Sequence, residues 1–226
     1  MKIQILPSLL AADFGNLEQG AKKAELAGGD ALHIDIMDGH FVPNLSMGPD
    51  VVKMARRCTK MSLSVHLMMT NPDQYLNKFI EAGANSLFIH VEAECDIPDA
   101  LDRIKALGAH PGITLNPETP AEMIFSILDK VDEVLCMTVH PGYGNQKFIP
   151  KVLPKIKTIR NQADSSGKNN LNILVDGGIN IETAVKCAEQ GANGLISGSW
   201  LYKAYDMKSE IFRMRQKASA SFIKCK

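Results

Sequence analysis

The sequence predicts a single (β/α)8 TIM barrel over residues 1–226, from three observations. Eight short apolar runs alternate with stretches of helical length. Four helical stretches close on one signature, a glycine set just before the next apolar run. Ionisable side chains sit at the C-terminal ends of the apolar runs, where the βα loops of a barrel build its functional face. No Pro-, Gly- or Ser-rich linker divides the chain, and 226 residues lie at the low end for one such barrel.

The expected strands are Ile3–Ser8, Ala31–Ile36, Leu63–His66, Ser86–His90, Gly112–Leu115, Glu133–Val139, Asn172–Asp176 and Gly194–Ser197. Helical spacing between them shows in Leu17, Ala21 and Ala24, and again in Ile156, Ile159 and Ala163. The repeated signature is Ala27-Gly28-Gly29-Asp30, Ala82-Gly83-Ala84-Asn85, Leu107-Gly108-Ala109-His110 and Gln190-Gly191-Ala192-Asn193. Each glycine stands where a left-handed C-cap is required. An open doubly wound sheet is the alternative, disfavoured because no G-x-G-x-x-G follows the first strand.

In the second strand, alternation puts Leu32, Ile34 and Ile36 on one face and His33, Asp35 and Met37 on the other. The first face suits packing under helices. The second carries an imidazole, a carboxylate and a thioether, followed by the turn signal Asp38-Gly39 and the extended Val42-Pro43. Taken alone, His33 and Asp35 read either as two ligands of one divalent ion or as a hydrogen-bonded brace. His66 at the end of strand three and Asp176 at the end of strand seven decide between them. Two His and two Asp at the same end of three strands point to a shared metal site.

Gly-rich loops form a second cluster. Val139-His140-Pro141-Gly142-Tyr143-Gly144-Asn145-Gln146 follows strand six, Asp176-Gly177-Gly178 strand seven and Ser197-Gly198-Ser199 strand eight. Barrels often seat a phosphate on backbone N–H groups after strands seven and eight, and glycine lets the backbone approach closely. Lys+Arg and Asp+Glu are 25 each without runs of like charge, so neither nucleic acid nor membrane is expected as a partner. Cys58, Cys95, Cys136, Cys187 and Cys225 are scattered and odd in number, which fits reduced thiols in a cytoplasmic protein. Met1-Lys2-Ile3-Gln4 leads directly into the first strand, and no signal or membrane-spanning segment is expected.

Seven pieces of the chain resemble the ribulose-phosphate 3-epimerase family, in family order. They are Leu6–Phe14 (LPSLLAADF), His33–Asn44 (HIDIMDGHFVPN), Val65–Pro72 (VHLMMTNP), Leu115–Pro120 (LNPETP), Met137–Pro150 (MTVHPGYGNQKFIP), Val175–Ile179 (VDGGI) and Ser197–Ser199 (SGS). The resemblance implies a pentose-phosphate isomerase with one divalent ion (Zn, Fe(II), Co or Mn) on His33, Asp35, His66 and Asp176, and no organic cofactor. It implies Asp35 and Asp176 as acid and base, and Ser8, His66, Gly142, Gly144, Gly177, Gly178, Gly198 and Ser199 as contacts for a ketose phosphate. A cytoplasmic homo-oligomer is expected. Two residues depart from the family's pattern. Asn145 stands where the loop usually has its last glycine, and asparagine tolerates left-handed geometry. Trp200 follows Ser199 in place of a small residue, and its indole is expected to pack under the last helix.

Epimerising C3 of a 2-ketose phosphate removes a proton α to a carbonyl and returns one to the opposite face, which requires two groups. Met37, Met68 and Met137 are candidates for a polarisable wall beside the enediolate, with plain core filling as the alternative. D-allulose-6-phosphate 3-epimerases share the same chemistry and remain an alternative for the substrate. A Schiff-base aldolase needs a lysine at a strand end, and none of the eight expected strands contains one. Related phosphate-binding decarboxylases place a lysine beside the second-strand carboxylate, where this chain has Ile34, Ile36 and Met37. A non-enzymatic phosphosugar-binding barrel would have no use for two carboxylates and two imidazoles at its mouth.

Overall fold

In the computed structural model, residues 1–224 are described, so Cys225 lies outside them. The strands are β1 (Gln4–Pro7), β2 (Ala31–Met37), β3 (Ser62–Met68), β4 (Ser86–His90), β5 (His110–Leu115), β6 (Glu133–Met137), β7 (Asn172–Asp176) and β8 (Gly194–Ser197). All pair in parallel, in the order β1-β8-β7-β6-β5-β4-β3-β2. The helices are α1 (Leu17–Leu26), α2 (Pro49–Cys58), α3 (Leu76–Glu81), α4 (Ile97–Ala106), α5 (Leu153–Ser165), α6 (Ile181–Glu189), α7 (Ser199–Tyr202) and α8 (Met207–Lys224). This is a single (β/α)8 barrel.

The seam between β1 and β2 is held at two levels. At the top, Ser8 makes a parallel bridge to His33. At the bottom, the Asp30 N–H donates to the Ile5 carbonyl at 2.9 Å, while the Asp30 carboxylate accepts the Ile5 N–H at 2.8 Å. Lys2 and Arg215 neutralise that carboxylate at 2.9 and 2.8 Å. Burial opposes ionisation of Asp30, but the Ile5 N–H and the two cations outweigh it and hold its pKa below the ordinary value.

The helices dock as their spacing requires. Ala21 and Ala24 of α1 are buried, as are Ile156, Ile159 and Ala163 of α5, against Leu32, Ile34, Ile36 and their counterparts on the outer faces of the strands. The four signature glycines all adopt positive φ: 85° at Gly28, 113° at Gly83, 87° at Gly108 and 101° at Gly191. The segment between β5 and β6 departs from the regular pattern. Ala121–Lys130 winds as successive 3-10 turns that bury Ala121, Ile124 and Ile127 at every third residue, with Leu128 beside them. A spacing of three matches a helix of three residues per turn.

Some strand ends shift from those expected. β3 continues to Met68, so His66 lies inside the strand. β6 stops at Met137, because the Thr138 carbonyl accepts the Ile149 N–H of its own loop. No disulfide forms among the described cysteines, and no described helix is long and apolar enough to cross a membrane.

Inside the barrel, Leu6, Phe88, Leu135, Met137, Leu174 and Ile196 fill the bore below the mouth. Phe88 occupies it only because its β5 neighbour is Gly112. A Cβ there would sit 2.3 Å from the ring. Gly112→Ala should therefore destabilise the barrel by ~1–3 kcal/mol through overpacking. Urea unfolding with an unchanged midpoint would show that the bore has slack.

Candidate active site

The register of β2 on β3 sets His33 beside Ser64, Asp35 beside His66 and Met37 beside Met68, all facing inward. His33 Nε2 and His66 Nδ1 each lie 3.3 Å from Asp35 Oδ1. Ser8 donates to Asp35 Oδ2 at 2.7 Å, and Ser64 Oγ holds His33 Nδ1 at 3.0 Å. Asp176, at the end of β7, completes a group whose four ligand-type atoms lie within 4.8 Å of one another.

The donor set fits a divalent cation. His33 Nε2 is buried without a hydrogen-bond partner, although buried polar atoms are normally satisfied. A tetrahedral site with bonds of ~2.0–2.1 Å sets its ligand atoms ~3.3–3.4 Å apart, the spacing of both imidazoles from Asp35 Oδ1. With no separation above 4.8 Å, a common centre lies within ~2.9 Å of all four atoms, and a bound ion would draw them in. Two nitrogens and two oxygens suit Zn, Fe(II), Co or Mn.

The electrostatics divide the two carboxylates. Burial pushes Asp35 up, but the charge of His33 and the adjoining His66 imidazole outweigh it, and its pKa falls far below the usual range. For Asp176, burial and the Asp35 charge act together and push it up to about 7. Burial likewise lowers His33, yet the Asp35 carboxylate reverses the direction and favours its imidazolium. Desolvation dominates at His66 and lowers it to about 4. The two carboxylates thus differ in proton preference, Asp35 toward its ionised form and Asp176 toward its protonated one.

Above the cluster opens a cavity of about 1780 Å³. Ser8, Asp35, Asp176, Gly142, Gly144, Gly177, Gly178, Gly198 and Ser199 line it, with Met37, Met68 and Met137. His33 and His66 do not; both are wholly buried beneath its floor. The turn after β7 is tightly held. Thr138 donates to the Asp176 and Gly177 carbonyls at 2.8 and 2.6 Å, and a Cβ on Gly177 would meet Val139 at 2.3 Å. Asn145 adopts φ 62°, the left-handed geometry that asparagine tolerates. Trp200 lies against the last helix rather than under it. It is 44% exposed, its indole N–H donates to Glu210 at 3.0 Å, and it forms part of the cavity rim.

Sequence reasoning passed over His90 and Glu92. His90 Nε2 lies 2.9 Å from His66 Nε2, and its Nδ1 lies 3.0 Å from Glu92. The signal was available, because His90 is the last residue of β4 and a histidine at a strand's C-terminal end had already drawn attention to His66.

A cation entering the cluster competes with protons for Asp176 and His33, both of which hold them to a higher pH than usual. Its affinity should therefore climb as pH rises through about 7, the value to which Asp176 is raised. Competition titrations of Co(II) on metal-free protein at a series of pH values measure this, and a flat profile across that point would contradict the charge assignment.

The Ribulose-phosphate 3 epimerase family model matches residues 4–202. A ribulose-phosphate 3-epimerase of Bacillus subtilis is 47% identical over 213 residues, covering 94% of this chain and 98% of that protein. One from Methanocaldococcus jannaschii is 42% identical over 216 residues, covering 96% and 91%. A cytoplasmic isoform from Oryza sativa subsp. japonica is 40% identical over 222 residues, covering 96% and 95%. Among solved structures, 3-hexulose-6-phosphate synthase from Salmonella typhimurium superposes with a TM-score of 0.70 at 15% identity, over 97% of this chain and 100% of that one. That likeness shows the barrel alone. The sequence relatives show more: the chain belongs to the ribulose-phosphate 3-epimerase family.

Proposed function

We propose that the protein interconverts D-ribulose 5-phosphate and D-xylulose 5-phosphate, with Asp35 and Asp176 exchanging protons at C3 from opposite faces. The observation that carries this reading is two carboxylates on one cavity with opposite proton preference, Asp35 held ionised and Asp176 raised to about 7. Strands β2 and β7 are separated in the ring by β1 and β8, so the two side chains approach a substrate from different sides. One carboxylate takes the C3 proton from its face and the other returns one to the opposite face, with the roles reversed in the return direction. Ser8 holds Asp35 Oδ2 toward the cavity while Oδ1 faces the imidazoles. A divalent ion on His33, Asp35, His66 and Asp176 would stabilise negative charge developing on the substrate's C2 and C3 oxygens.

Gly177, Gly178, Gly198 and Ser199 are assigned to the phosphate, with the Gly142–Gly144 loop closing over the sugar. Met37 and Met68 pack with Val42 beside Asp35, which supports an apolar wall that keeps water from the flat intermediate. We also assign the protein to the cytoplasm as a homo-oligomer, supported by its cytoplasmic rice relative, its free cysteines and the exposed Phe14, Leu26 and Phe212. A hexulose phosphate such as D-allulose 6-phosphate would undergo the same chemistry.

Steady-state turnover of ribulose 5-phosphate should exceed that of allulose 6-phosphate, and the reverse would transfer the assignment to the hexulose. With the better substrate, Asp35→Asn and Asp176→Asn should each lower epimerisation by ~10²–10⁴ or more, because neither face can replace the other. In D₂O the two variants should exchange the C3 proton of opposite epimers. Metal-loaded variants that epimerise within ~10-fold of wild type, short of the usual general acid–base contribution, would sink the two-carboxylate mechanism.

The phosphate assignment is separable. A Cβ at Gly198 would lie 3.1 Å from that of Ala11, so Gly198→Val crowds the loop without touching either carboxylate. KM should rise more than kcat falls, the mark of lost uniform binding. A fall mainly in kcat would move this loop from anchoring to chemistry.

A further inference from the structure

From the cluster, a line of hydrogen bonds runs outward through β4. His66 Nδ1 faces Asp35, and its Nε2 meets His90 Nε2 at 2.9 Å. His90 Nδ1 meets Glu92 Oε2 at 3.0 Å. The other Glu92 oxygen accepts the Asn116 N–H at 2.8 Å and the Thr119 hydroxyl. Both imidazoles are wholly buried, and Phe41 covers His90 with ring centroids 4.5 Å apart.

The partners dictate where the protons sit. An ionised carboxylate only accepts, so the hydrogen of a neutral His90 resides on Nδ1 and its Nε2 is left bare. Facing that bare nitrogen at 2.9 Å, closer than the 3.3 Å from its Nδ1 to Asp35 Oδ1, His66 donates from Nε2, which leaves the Nδ1 lone pair directed into the cluster. Asn116 and Thr119 keep Glu92 an acceptor at the far end. Donation thus runs in one direction along the whole line, from His66 to His90 to Glu92.

We propose that His90 and Glu92 are positioning residues that fix His66 as its Nε2–H tautomer and so present the Nδ1 lone pair to the cation. This rests on the reading of His33, Asp35, His66 and Asp176 as a metal site. Without the pair, His66 could turn its hydrogen toward Asp35, and the ring would then offer the ion an N–H instead of a lone pair. Partners of this kind behind a ligating histidine set both its tautomer and its basicity, and losing one typically costs ~10–100-fold in metal affinity.

Two readouts test this. Long-range ¹H–¹⁵N spectra of the metal-free protein report the His66 tautomer, and titration with Co(II) gives the dissociation constant and the visible ligand-field spectrum. Wild type should show the Nε2–H form. His90→Leu, which removes the acceptor, should shift that form and weaken Co(II) binding by ~10–100-fold. His90→Gln returns an acceptor oxygen and should recover most of the loss. Glu92→Gln, at a partly exposed position, keeps the test open if the His90→Leu protein does not fold. It should disturb the tautomer and the Co(II) spectrum in the same direction. Unchanged tautomer and affinity in His90→Leu or Glu92→Gln would overturn the proposal. Equal losses in His90→Leu and His90→Gln would do the same, by marking a packing role. Wild-type protein that binds no Co(II) would instead overturn the metal reading itself, and the inference with it.

Discussion

A buried carboxylate is costly unless it is paired and hydrogen-bonded, and the mouth of this barrel is organised around meeting that requirement for Asp35. Three strands contribute. His33 comes from the same strand, His66 from the register partner on β3, and Ser8 from beyond the end of β1, where its bridge to His33 also closes the barrel seam. Removing one partner would leave charge unpaired in a low-dielectric site, so geometry, closure and ionisation depend on one another. The arrangement also sets the neighbour. Burial and the negative charge held on Asp35 together push Asp176 toward its protonated form, so two chemically identical side chains differ in proton preference.

The loops around this centre are tied to one another. The Asp38 carboxylate accepts the His40 and Phe41 N–H groups on one oxygen and the Thr70 N–H on the other, joining the loops after β2 and β3. Asn44 donates to the Gly142 carbonyl and Tyr143 to that of Pro43, which joins the β2 loop to the β6 loop. Glu118 pairs with His140 across the β5 and β6 loops at 2.7 Å. Such ties hold the glycine backbones of the β6 loop over the cavity. They also account for the position of Asn145, which carries positive φ within a loop anchored on both sides.

Much of this was legible in the chain. Strand alternation fixes which side chains share a face, so His33, Asp35 and Met37 had to point together wherever β2 lay, and Leu32, Ile34 and Ile36 had to meet the helices. The glycines at 28, 83, 108 and 191 marked helix ends because only a residue without Cβ adopts their backbone geometry cheaply. Strand-end position separated His66 and Asp176 from ordinary core or turn residues, because a parallel barrel brings all its strand C-termini to one mouth.

Other features depended on how the ring closes. Which nitrogen of each imidazole faces the centre, the reach of His66 to His90, and the Asp30 clamp on the seam all follow from register between segments distant in sequence. Nothing in the sequence of Ala121–Lys130 marks 3-10 winding, since apolar residues three apart suit either helix until packing selects one. Proton preference was equally hidden: Asp35 and Asp176 are the same residue type, each toward the C-terminal end of a strand. The sequence by itself determined the barrel, the faces of its strands and the set of residues at its mouth, because these follow from local periodicity. Only the tertiary structure decided which carboxylate holds the proton, because burial and neighbouring charge exist only once the strands have closed around them.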